Sequence, residues 1–96
     1  MLTYQVKINV HPSIEAAWLQ WMKTEHVPDV IATGCICSFQ ILKSDSEPQT
    51  YRFHYHFRNT EEYMRYQKDF APDLKVHPRK KFSNQFVAKR EIFQWI

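Results

Sequence analysis

Trp18 to Gly34 reads W-L-Q-W-M-K-T-E-H-V-P-D-V-I-A-T-G. Apolar residues recur at helical spacing, the run reaches His26, meets Pro28, and stops at Gly34, the only glycine of the chain. Just upstream, His11-Pro12-Ser13 opens the helix, with Pro12 at the first helical position or Ser13 as N-cap. Ile14, Ala17, Trp18, Trp21 and Met22 fall at i, i+3, i+4, i+7 intervals and define one apolar stripe. Proline cannot donate to the helical ladder and disfavours α geometry at the residue before it. The helix is therefore expected to kink or restart near His26 and to end at Gly34 in a left-handed cap.

Working outward, Thr3 to Val10 alternates strictly. Tyr4, Val6, Ile8 and Val10 point one way and Gln5, Lys7 and Asn9 the other, the pattern of a half-buried strand. Cys35 to Leu42 reads as a second strand, polar Ser44 to Gln49 as a turn, and Tyr51 to Phe57 as a third strand. On the third strand Tyr51, Phe53, Tyr55 and Phe57 oppose Arg52, His54 and His56. Asn59-Thr60-Glu61-Glu62 has the form of a capping box and starts a second helix, whose stripe is Tyr63, Tyr66, Phe70 and Leu74. Pro72 and Pro78 are expected to break that helix. Phe86 to Ile96 forms the last strand, expected to be bulged because its alternation is imperfect.

The order is β-α-β-β-α-β over residues 1–96, a single α+β domain of the ferredoxin-like split βαβ type. It predicts a four-stranded antiparallel sheet with both helices on one face and the first and third strands central. The aromatic share of 16% supplies large apolar side chains to a short chain whose surface-to-volume ratio works against it.

The formal net charge is +3, with the excess concentrated between Lys75 and Lys81 and at Lys89 and Arg90. Such a patch attracts acidic ligands or nucleic acid; a solvated basic helix end is the simpler account. No apolar run approaches the roughly 20 residues that span a bilayer, and Met1 to Val10 lacks the layout of a signal peptide. A cytoplasmic protein is expected. Cys35 and Cys37, two apart on a strand, make a poor disulfide.

The motif Trp18-x-x-Trp21-Met22, with Glu25-His26-x-Pro28 and Ala32-Thr33-Gly34, resembles the bacterial family called domain of unknown function 4286. Ala71-Pro72, Phe82, Phe86-Val87-Ala88 and Arg90 extend the resemblance over nearly the whole chain. More remotely, Met22-x-x-x-His26-x-Pro28 followed by Gly34 looks like the first helix of EthD-like dimeric α/β-barrel proteins. That likeness implies two protomers pairing their sheets face to face, here through Gln5, Lys7, Arg52, His54 and His56. It also implies a ligand cavity between sheet and helices in each protomer. It implies no particular reaction, because the fold hosts many.

The candidate chemistry gathers around the helix break. His26 is the best candidate for an acid/base or ligand-binding group, since imidazole titrates near neutrality; the plain alternative is a histidine capping free carbonyls. Glu25 falls on the face of Trp18 and Trp21 if the helix stays regular, and there it needs Arg90, Lys89 or a Tyr hydroxyl as partner, or else water. Trp18, Trp21 and Tyr55 would complete a small-ligand pocket, with Tyr51, Tyr63 and Tyr66 aimed at the same space; aromatics so spaced are also ordinary core. Every buried indole N–H or phenol O–H needs a partner.

His54-x-His56 and Cys35-x-Cys37 suggest zinc, but strand parity puts the two pairs on opposite sheet faces, so no metal site is expected. With one glycine there is no phosphate-cradling loop, and no cofactor is expected. The third strand carries its aromatics inward and lacks the glycine of the RNA-recognition motif, which leaves nucleic acid as a minor alternative resting on Lys75–Lys81.

Overall fold

A computed structural model describes residues 1–83 and 85–96. Strand β1 (Leu2–Val10) leads through a short 3-10 turn to helix α1 (Glu15–Trp21), a π-helical turn (Met22–His26) and helix α2 (Val27–Ala32). Strands β2 (Ser38–Lys43) and β3 (Thr50–Phe57) follow, then α3 (Thr60–Asp69), α4 (Ala71–Lys81) and β4 (Phe86–Gln94). The strands form one antiparallel sheet in the order β2-β3-β1-β4, with β1 and β3 central as their patterns required.

Parity decides the layers. Leu2, Tyr4, Ile8 and Val10 of β1 and Tyr51, Phe53, Tyr55 and Phe57 of β3 are all buried under the helices. Trp18 of α1 sits edge-on to Phe53, with ring centroids 5.9 Å apart, and against Tyr51 at 5.2 Å. Tyr63 and Tyr66 of α3 close on Phe57 at 5.3 and 5.6 Å. The Tyr51 hydroxyl also donates to Glu15 Oε2 at 2.6 Å, tying the third strand to the start of α1.

Several local expectations need correction. Ala17 is exposed, so the stripe of α1 narrows to Ile14, Trp18, Trp21 and Met22. Cys35 and Cys37 precede β2 rather than sharing one of its faces; Cys35 is buried and Cys37 exposed. β4 is not bulged: its register against β1 is unbroken from Val10↔Phe86 to Leu2↔Gln94. Its alternation is blurred because it is an edge strand with both faces partly wet. The second helix breaks at Phe70, just ahead of Pro72, which occupies the first turn of α4 where no N–H is needed. Pro78 breaks nothing; α4 continues through it to Lys81.

Two expectations about helix ends hold in detail. Gly34 takes φ +78° and ends α2, and Asn59 caps α3 by accepting from the Glu62 N–H at 2.9 Å. The interruption before Pro28 takes the form of the π turn, where the Val27 N–H reaches back to the Met22 carbonyl.

Candidate functional site

The π turn explains which side chains reach the interior. Its i→i+5 bonding takes up an extra residue per turn, so side chains past Met22 are rotated relative to a regular helix. Glu25 swings off the apolar stripe and is exposed, while His26 stays beneath Met22 and is half-buried. Trp21 stacks on the His26 ring at 5.8 Å with planes 24° apart, and Phe82 meets the other side of Trp21 edge-on at 5.7 Å.

Between this segment, α4 and the inner face of β1, β3 and β4 lies a cavity of about 50 Å³. Val6, Ile8 and Phe53 form its floor and Trp18, Met22 and His26 one wall. Tyr4, Tyr55 and Tyr66 contribute hydroxyl-bearing rings, and Leu74, Lys75, Pro78 and Arg79 of α4 make the opposite wall. Arg90 closes the side: it pairs with Val6 in the sheet register and so points inward. Arg90, Lys75 and Tyr4 also border a wider surface groove of about 250 Å³, and Arg79, Phe86 and Ala88 a second of about 100 Å³.

Two buried polar atoms on residues that line the cavity are unpaired among the described residues. Trp18 is fully buried, and its indole N–H meets no acceptor among the described residues. His26 Nδ1 is likewise buried without a partner. Orphaned buried donors and acceptors are rare, because each forfeits its hydration for nothing. Burial lowers the His26 pKa to about 4; nearby Asp29 pulls it up, while His77 pushes it further down. The imidazole is therefore neutral at pH 7 and available as an acceptor. Desolvation pushes the Tyr55 and Tyr66 hydroxyls well above their usual pKa, so both stay protonated donors.

The sequence-derived candidates therefore separate. Trp18, His26 and Tyr55 share the cavity wall; Trp21 lies behind His26; Glu25 faces solvent and pairs with neither Arg90 nor Lys89 among the described residues. Tyr66 of the second stripe lines the cavity, whereas Tyr51 and Tyr63 do not. Arg90 is the lining residue that strand parity alone could have revealed: Phe86, Ala88, Arg90 and Ile92 alternate inward, and an arginine there has to answer to something.

On the far face of the sheet the polar side chains are ordered as a network. His56 is buried there, with Nδ1 2.8 Å from Thr3 Oγ1 and Nε2 2.9 Å from Gln40 Oε1. The Trp95 N–H donates to Thr3 Oγ1 at 2.7 Å, and its ring stands edge-on to His56. His54 bonds Gln5 at 2.9 Å, and Lys7 and Arg52 converge on Glu47 at 3.1 and 3.6 Å.

The sequence profile described as Domain of unknown function (DUF4286) matches residues 1–96. No curated protein matches the chain in sequence. Among solved structures, an ethyl tert-butyl ether degradation (EthD) family protein from Bacillus halodurans superposes with a TM-score of 0.75 at 10% identity, covering 100% of both chains. SnoaB, a cofactor-independent oxygenase from Streptomyces nogalater, gives 0.70 at 8% identity over 99% of this chain and 92% of its own. A MhuD variant with two manganese protoporphyrin IX molecules bound per active site gives 0.73 at 14% identity over 100% of this chain and 95% of its own. At such identities the likeness is one of fold alone, in keeping with the ferredoxin-like order of the sheet.

Proposed function

The chain belongs to the family described as Domain of unknown function (DUF4286), and from that premise we propose that it is a homodimer binding a small organic molecule between sheet and helices. The observation that carries this reading is the Trp18 indole N–H, buried without an acceptor on a residue that lines the cavity. A ligand oxygen or nitrogen there removes a penalty of about 1–3 kcal/mol that the empty protein bears. His26 offers a second polar contact from the same wall, and the Tyr55 hydroxyl, held protonated, a third. Trp21 holds the His26 ring in place. Glu25 is left outside the site. An oxygenase and a porphyrin-loaded protein share this fold, which supports a small-ligand role for it.

A neutral His26 has no proton to give as a general acid near pH 7, but it can accept one or anchor a ligand hydroxyl. No reaction is assigned to it. The paired face is assigned to the outer sheet surface bearing Gln5, Lys7, Arg52, His54 and His56, flanked by exposed Val87 and Phe93 of β4. Free Cys35 and Cys37 suit the reducing cytoplasm.

The test is a native mass spectrum of protein purified gently from cells. A small molecule should be retained on a particle of twice the 11.7 kDa chain mass, and Trp18→Phe should release it. Bare polypeptide with no retained mass, together with no response to any added organic compound, overturns the reading. One observation favours a second account, an interaction module without a ligand: the cavity, about 50 Å³, holds only a few water molecules as it stands.

A further inference from the structure

We propose that the ligand is an organic anion: its charged group is bound among Lys75, Arg79 and Arg90, and its apolar body enters the cavity beneath Trp18. This rests on the ligand-binding reading above and adds the ligand's class.

Lys75 and Arg79 lie four residues apart on α4 and so share one helical face; Arg90 approaches from the inward side of β4. All three line the same cavity. Among the described residues none of them makes a salt bridge. Glu91 borders the outer groove beside Lys75 and Arg90 but pairs with neither. Burial depresses the Lys75 pKa, and the charges of Arg90 and Arg79 depress it further, so the three cations lie close enough to repel one another.

Converging cations without an anion are unfavourable in the empty protein, and a carboxylate relieves the repulsion while accepting bidentate hydrogen bonds from an arginine. Around Trp18 the cavity lining is mainly apolar, its polar groups being the Trp18 and His26 nitrogens and the tyrosine hydroxyls. The ligand's distal part is therefore apolar, with one acceptor atom for the indole. Lys75 and Arg90 line both the cavity and the groove of about 250 Å³. A molecule lying across them has room in the surface groove as well as in the cavity.

The test compares three probes of one shape: 2-naphthoate, neutral 2-naphthamide and cationic 2-naphthylmethylammonium. Each is titrated into the full-length protein while the Trp18 indole N–H signal is followed by NMR, assigned with Trp18→Phe. The naphthoate should shift that signal with an affinity about tenfold above the amide, and the preference should shrink with added salt. The double variant Arg79→Gln/Arg90→Gln, altered at two exposed side chains, should lose the preference for the naphthoate over the amide. Equal binding of amide and naphthoate, or a preference that survives in the double variant, overturns the anion assignment while leaving the pocket intact. If none of the probes moves the Trp18 signal, the assignment falls together with the ligand-binding reading.

Discussion

Trp21 and His26 stack at 5.8 Å with ring planes 24° apart, although five positions separate them in sequence. In a regular α-helix, residues five apart point in well-separated directions; the π turn between them brings the rings together. The stack covers an imidazole that also lacks a partner at Nδ1. Burial of this ring has consequences for stability as well as for binding.

The folded protein holds the His26 pKa at about 4, against 6.5 for an unperturbed histidine. Within that window the unfolded chain binds a proton that the folded chain does not. Stability is therefore unaffected by this group above pH 6.5 and falls as the pH drops toward 4. The loss is at most about 3 kcal/mol. Urea denaturation at pH 7 and pH 4.5 measures it, and His26→Phe should remove most of the difference. His54, whose pKa is also lowered, adds a smaller contribution of the same sign that survives in that variant. A pH dependence unchanged by His26→Phe would refute the assignment.

Trp18→Phe deletes the orphaned N–H together with part of a buried ring. Relief of the unpaired donor and loss of packing oppose each other, so the net change should stay within about 1.5 kcal/mol. Trp18→Ala deletes the whole side chain from between Tyr51 and Phe53 and should cost about 3–5 kcal/mol. Chemical denaturation of the two variants distinguishes them; a Phe variant as damaged as the Ala variant would show that the N–H has a partner.

Gly34 adopts φ +78°, and a Cβ built there meets nothing within 4 Å. Gly34→Ala should therefore carry the left-handed backbone penalty alone, about 1–2 kcal/mol. Gly34→Asn should cost less, since Asn tolerates that conformation. Thermal melts of the two should rank in that order; a larger loss for Asn would mean that sterics rather than backbone conformation decide the position.

Thr3 Oγ1 takes the Trp95 N–H at 2.7 Å and lies 2.8 Å from His56 Nδ1. Thr3→Val strands both nitrogens and should cost about 1–3 kcal/mol, while Thr3→Ser, which keeps the hydroxyl, should cost distinctly less. If Trp95 helps to shape a paired sheet face, Thr3→Val should also lower the dimer fraction seen by light scattering at micromolar concentration.

The strand patterns carried the sheet. Alternation in Thr3–Val10 and Tyr51–Phe57 assigned the inward side chains of β1 and β3 apart from Leu2, because a strand offers two faces and one must be apolar. Edge strands were less legible: β4 looked irregular although its register is perfect, since an edge position relaxes the demand for a clean apolar face. Pro78 was misread because a proline near the end of a helix forfeits little of its ladder. Trp18, His26 and Tyr55, singled out by type and spacing, line one cavity, and Glu25, which spacing alone could not separate from them, is exposed.

Sequence by itself determined the β-α-β-β-α-β order, the two central strands and the helix break before Pro28, all of which follow from local periodicity and backbone chemistry. Tertiary structure alone decided the hand-off at the π turn, which sends His26 inward and Glu25 to water. It alone brought Lys75 and Arg79 of α4 against Arg90 of β4. A change of helical phase at the π turn and a meeting of distant segments depend on how whole elements pack, and no single stretch of residues encodes them.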